Sequence, residues 1–199
     1  MKSFFDYFQF YFVESFKVIK LDKKAILRLA NDANALPYAL LILVLPPVFN
    51  FFLAALAFRK FEFTAFLVLL VFVLLNLLMI LIMTYLAQTI FRGKLAFSYR
   101  AFFQTAAFAN VLSWILLVPF TLLLLGLPLE GLFQFMIFIV GVWTFVIFYN
   151  LLKILHELKP LKAFFVVLIA VLMVAAMQNF FMDIFLGEEY KNILLNGLV

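Results

Sequence analysis

The side chains able to do chemistry are few, and they gather in one stretch. His156 is the single histidine of the chain and stands in KILHELKPLKA with Lys153, Glu157, Lys159 and Lys162 around it. An imidazole near a carboxylate and an ammonium has the parts of a general acid–base pair, and Arg100 would add a cation at the same surface. A lipid-acting enzyme would have to be built from these groups. There is no Cys, so thiolate nucleophiles, thiolate metal sites and disulfides are excluded. One histidine also excludes metal sites made of His pairs, and any Ser–His–Asp triad would hang on His156. HExxH, Walker A and GxGxxG patterns are absent from the sequence. The reading that follows is a solvated loop histidine, no cofactor, no metal and no enzyme.

The elements that carry these residues are set by composition. Of 199 residues, 69% are apolar and 13% charged, and 30 are Phe; soluble domains run at roughly 45–50% apolar and about 25% charged. A soluble globule of this length has too much surface for so few charges. That excludes a soluble enzyme, a disordered chain and an ordinary nucleic-acid-binding domain. Five segments meet the requirement of about 20 mostly apolar residues for a spanning helix: 37–58, 64–91, 102–126, 132–152 and 163–185. They are continuous apolar runs, not the period-2 alternation of barrel strands. The expected fold is an all-α membrane protein, a five-helix bundle over 37–185, preceded by an interfacial segment 1–36 and followed by a short tail 186–199. No secretory leader is expected, because Asp6 and Glu14 interrupt the N-terminal apolar stretch.

Basic residues orient the bundle. With five spans and the N-terminus inside, twelve Lys and Arg fall on the cytoplasmic side and three outside. If the first segment, with Pro46-Pro47 near its centre, were re-entrant, the split would be nine against six. Five spans with a kinked first one are preferred, the freed carbonyls being satisfied by neighbouring helices or by Asn50. Net charge then resolves into +7 inside and −2 outside. The candidate contacts for anionic headgroups or partner proteins are Lys17, Lys20, Lys23, Lys24, Arg28, Arg92, Lys94, Arg100, Lys153, His156, Lys159 and Lys162.

Residues 2–20 have a different pattern. At 100° per residue, Lys2, Ser3, Asp6, Gln9, Glu14, Lys17 and Lys20 share one arc, and Phe4, Phe5, Phe8, Tyr11, Phe12, Phe16 and Ile19 the other, with Ser15 on the apolar side. This is a helix lying in the cytoplasmic interface or packed across the ends of the bundle. A second short amphipathic helix runs from Lys23 to Asn34, with Asp22 as N-cap. Within the spans there is no ionisable residue near the centre; Asp183 lies near the outer end of the fifth. The polar core and packing candidates are Asn50, Asn76, Asn110, Ser113, Gly141, Thr144 and Asn150, with Thr84, Gln88, Gln104, Thr121, Gln178 and Asn179 beside them. Interhelical hydrogen bonding is the expected use, and a lined pathway the alternative. Span three, with Ala106, Asn110 and Ser113 on one stripe, is expected at the centre, kinked at Pro119.

Three stretches carry a resemblance: FKVIKLDKKAILRLANDANALPYALLIL (16–43), FRGKLAFSYRAFFQTAAFAN (91–110) and GVWTFVIFYNLLKILHELKPLKA (141–163). Together they resemble the leading segment, second loop and fourth span of prokaryotic Yip1-domain proteins, over residues 10–180 or so. That family often has a proline one turn into span three, where this chain has Asn110-Val111. The resemblance implies five spans, a cytoplasmic N-terminus and a prokaryotic plasma membrane. The eukaryotic members associate with Rab GTPases and with one another in membrane traffic. The expectation is a non-enzymatic membrane protein that organises anionic lipid or partner proteins, other membrane proteins or a second copy included, and does not bind nucleic acid. A small channel or permease component is the first alternative and the lipid-acting enzyme the second.

Overall fold

The computed structural model describes residues 4–57, 63–93 and 99–195. Lys94 lies outside the described residues. The elements are α1 (Phe4–Ile19), α2 (Lys23–Asn31), α3 (Ala35–Ala57), α4 (Phe63–Tyr85) running into a π-helical turn (Leu86–Ile90), α5 (Tyr99–Ala109), α6 (Leu112–Leu124), α7 (Glu130–Leu155) and α8 (Pro160–Leu195). Five stretches are long and apolar enough to cross a membrane: Ala35–Leu53, Leu69–Ile90, Tyr99–Leu124, Glu130–Leu155 and Pro160–Phe181. At most 33% of any of them is buried. Most of their apolar surface therefore faces outward, which is compatible with lipid as the neighbour. The last helix runs ten residues past the expected end at 185.

Pro46 and Pro47 sit inside α3 without interrupting it. Proline has no N–H, so Pro46 leaves the carbonyl four residues back, at Ile42, without its helical donor. Trp114 of α6 supplies one: its Nε1 donates to Ile42 O at 3.2 Å. A neighbouring helix thus does what the sequence requires there. Asn50 does not share the task, and its Oδ1 is buried without a hydrogen-bond partner among the described residues.

Span three divides where no proline stands. α5 stops at Ala109 and α6 begins at Leu112, with Asn110 and Val111 in a turn between them. The turn is held by short-range bonds from Asn110 N to Ala107 O at 3.1 Å, Val111 N to Phe108 O at 3.2 Å and Ser113 N to Asn110 O at 2.9 Å. The interruption of span three therefore lies at Asn110-Val111, ahead of Pro119. Pro119 lies within α6, whereas Asn, a weak helix former that competes for backbone groups, lies at the break. The inner half, α5, is the buried centre of one end of the molecule. Ala101, Phe102 and Gln104 through Ala109 are all buried there, against α1, α2, α3, α4 and α7.

Candidate functional site: the basic end of the bundle

The N-terminal helices, the segment 91–93, the start of α5 and the turn 156–159 converge on one end. α2 begins as the sequence requires: Asp22 Oδ1 accepts from Lys24 N at 2.9 Å and Ala25 N at 3.3 Å. Ala25, Ile26, Leu29 and Ala30 form its buried stripe. Its C-terminal carbonyls, orphaned as in any helix end, are met from α5. Gln104 Nε2 donates to Leu29 O, to Ala30 O at 3.2 Å and to Asp32 O at 3.2 Å. Arg100 donates to Ala33 O.

α1 is fastened by its own row of contacts. Tyr11 is buried, stacked on Tyr38 at 4.7 Å and on Phe108 at 5.9 Å between ring centroids, and its hydroxyl donates to Asp32 Oδ2 at 2.7 Å. Burial first, then the hydrogen bond and the charge of Asp32, push the Tyr11 phenol above its ordinary value. Glu14 is buried as well and holds Lys17 at 2.7 Å and Arg28 of α2. Trp143 of α7 donates from Nε1 to Ile19 O at 3.1 Å, the carbonyl end of α1.

The face that docks overlaps the apolar arc only in part: Phe8, Phe12 and Ile19 pack against the core, but a carboxylate goes in and several rings stay out. Tyr11, Glu14, Ser15 and Val18 go inward, while Phe4, Phe5, Phe10, Val13 and Phe16 stay exposed, Phe5 at 78%. Glu14 tolerates burial because two cations reach it from the rim. Ser15 tolerates it because its hydroxyl bonds back to Phe12 O at 2.5 Å.

The expected solvated histidine is also corrected. His156 is fully buried, its ring 5.1 Å from that of Phe102. α7 ends at Leu155, and Glu157 turns the chain with φ of 50°. That turn sends Leu158 inward and Lys159 outward. The segment after the π turn closes over the other side. An added Cβ on Gly93 would lie 3.0 Å from Ala87 O, 3.0 Å from Leu158 Cδ2 and 3.1 Å from His156 O. Lys162 Nζ fastens the same segment by donating to Phe91 O at 3.0 Å. An imidazole open to the interface beside Lys153 and Glu157, which acid–base chemistry on a lipid would need, is not what this turn builds. Among the described residues, no three His, Asp or Glu are grouped to hold a metal.

The candidate basic residues therefore separate into two sets. Lys17, Arg28, Arg100 and Lys162 hold the fold together through the contacts above, and Lys153 lies over the ring of Tyr149 at 5.0 Å. Lys20, Lys23, Lys24, Arg92 and Lys159 are exposed. Two surface grooves open nearby. One, of about 660 Å³, runs between α1 and the start of α3, lined by Phe4, Tyr7, Ala33, Asn34, Leu36, Pro37, Tyr38 and Arg100. The other, of about 510 Å³, lies between α7 and α8.

Several of the polar candidates within the spans bond locally rather than between helices. Thr84, Thr121, Thr144 and Asn150 each donate to the carbonyl four residues back in their own helix, and Asn110, in the turn, donates back to Ala106 O of α5, not across to another span. Ser113 is half-buried, and Asn76 is exposed and so lies outside the core. Gly141 packs against nothing within 4 Å of an added Cβ, so a role in close helix approach is corrected too. Gln104 meets the expectation, donating across to the end of α2, and Trp114 and Trp143 add cross-helix bonds of their own. Tryptophans carried no signal in the sequence, because nothing local pairs an indole with a carbonyl 72 or 124 residues away.

Comparison with known proteins gives no matching family model, no matching curated protein and no matching solved structure.

Proposed function

We propose that this chain is a non-enzymatic multi-pass membrane protein of Yip1-like type that organises anionic lipid or partner membrane proteins at its basic face. The N-terminus is cytoplasmic and the C-terminus outside, in a prokaryotic plasma membrane. The observation that carries this reading is the gathering of the N-terminal segment, residues 91–93 and residues 156–162 at one end of five apolar helices. Lys20, Lys23, Lys24, Arg92 and Lys159 are exposed there, with the open aromatic ridge of α1 nearby. Bases beside exposed aromatics are the composition of an interfacial surface on anionic headgroups. The cytoplasmic assignment rests on twelve bases against three.

The test is co-purification from native membranes of the wild type and of the triple variant Lys20→Gln, Lys23→Gln, Lys24→Gln, all at exposed sites. Loss of co-purifying anionic lipid or membrane protein from the variant is the expected result. An unchanged set would overturn the reading. Reporter fusions at both termini test the orientation, and both ends on the same side would refute it.

A further inference from the structure

The groove between α7 and α8 is walled by Phe145, Val146, Tyr149, Pro160, Leu161 and Phe164, all apolar but for one phenol. It opens onto the surface of two helices apolar enough to cross a membrane. Along α7, Phe145 lies eight residues from Lys153 in the last turn, a rise of about 12 Å. That is somewhat less than one leaflet of a hydrocarbon core of about 30 Å. The groove thus has the depth of part of an acyl chain, starting from the basic end.

Its mouth is cationic. Tyr149 forms part of the wall and at the same time holds the Lys153 ammonium 5.0 Å above its ring. Lys159 precedes the wall residue Pro160 and is exposed. Lys162 is occupied with Phe91 O, and the turn between the helices contributes one acid, Glu157.

We infer that this groove is a binding site for one anionic phospholipid, an acyl chain lying against Val146 and Phe164 and the headgroup phosphate between Lys153 and Lys159. The occupant follows from charge complementarity: a zwitterionic headgroup brings its own cation to a mouth that already has two. The inference rests on the reading of this end as facing an anionic leaflet, but it uses different residues from the exposed lysines of α1 and α2.

The experiment is native mass spectrometry of the full chain in detergent, titrated with phosphatidylglycerol or with phosphatidylcholine. The wild type should hold one phosphatidylglycerol in preference to phosphatidylcholine. Lys153→Gln and Lys159→Gln should each lower that preference about fivefold. Val146→Phe, which fills the groove, should lower retention of both lipids. The Lys20→Gln, Lys23→Gln, Lys24→Gln variant should leave the tightly held lipid in place. Equal retention of the two lipids by the wild type, or a preference unchanged in the Lys153→Gln, Lys159→Gln double variant, would overturn the inference. Loss of the lipid only in the α1–α2 variant would place the anionic site there and also overturn it. The broader reading would fail separately, in the co-purification experiment.

Discussion

Replacing Trp114 by Phe should cost stability for a reason that a second substitution removes. The indole Nε1 donates at 3.2 Å to Ile42 O, the carbonyl that Pro46 leaves without a helical donor. An orphaned buried carbonyl costs about 1–3 kcal/mol, and in a membrane span water is not at hand to replace the donor. The phenyl ring keeps part of the contacts with Phe12 and Phe49, whose centroids lie 5.2 and 6.2 Å away, so a packing loss of about 1 kcal/mol is added. The sum, about 3 kcal/mol, corresponds to a fall of roughly 6–12 °C in the unfolding midpoint for a chain of this size. Pro46→Ala returns an N–H to the helix and gives Ile42 O its own donor. In that background Trp114→Phe should cost the packing part alone, leaving a coupling of about 1–3 kcal/mol in the double-mutant cycle. The assay is thermal unfolding in detergent of the four proteins of the cycle. An equal midpoint loss from Trp114→Phe with and without Pro46 would refute the pairing of indole and proline.

The docking of α1 should be lost at alkaline pH. The Tyr11 phenol has its pKa raised above the ordinary 10.0, so its contribution is complete below pH 10 and is lost as pH rises through the folded value. Hydrogen exchange of residues 4–19, corrected for intrinsic rate, should be constant up to pH 10 and accelerate only above it, and Tyr11→Phe should remove the dependence; a loss of protection beginning at neutral pH would refute it. Two glycines should respond with opposite sign. Gly93→Ala, meeting two backbone oxygens at 3.0 and 3.1 Å, should destabilise by about 1–3 kcal/mol. Gly141→Ala, with nothing within 4 Å, should stabilise by about 0.5–1 kcal/mol, both read as shifts in unfolding midpoint. His156→Ala should lower stability by about 2–4 kcal/mol through the cavity left under Phe102; a midpoint equal to wild type would contradict the burial.

The spans were legible because each is an unbroken apolar run, and such a run answers to length and composition alone. The cap at Asp22 was legible for the same local reason: its partners, Lys24 N and Ala25 N, are two and three residues away. What the sequence hid depends on partners far along the chain. Glu14 sits on the polar arc, and nothing local says that Arg28 will fold back to neutralise it. His156 follows a helix end, where solvent is the ordinary neighbour, until Gly93 and Phe102 close over it. Pro119 stands out in the sequence, yet the helix is interrupted at Asn110, because a weak helix former matters most where short-range bonds can take over. The basic residues look alike in the sequence, and only tertiary contacts separate those that brace the fold from those left at the surface.

The π turn Leu86–Ile90 sets the bearing of everything that follows it. An α-helix advances about 100° per residue, and a π turn carries one residue more than an α turn before its bond closes, here from Phe91 N to Leu86 O at 3.0 Å. The approach of Gly93 to the backbone of His156 therefore depends on a count. Exchanging one apolar residue for another in this stretch keeps the phase. Deleting a single residue there would restore an ordinary helix and swing Phe91 through Gly93 about a quarter turn away, uncovering the imidazole without altering any side chain that touches it.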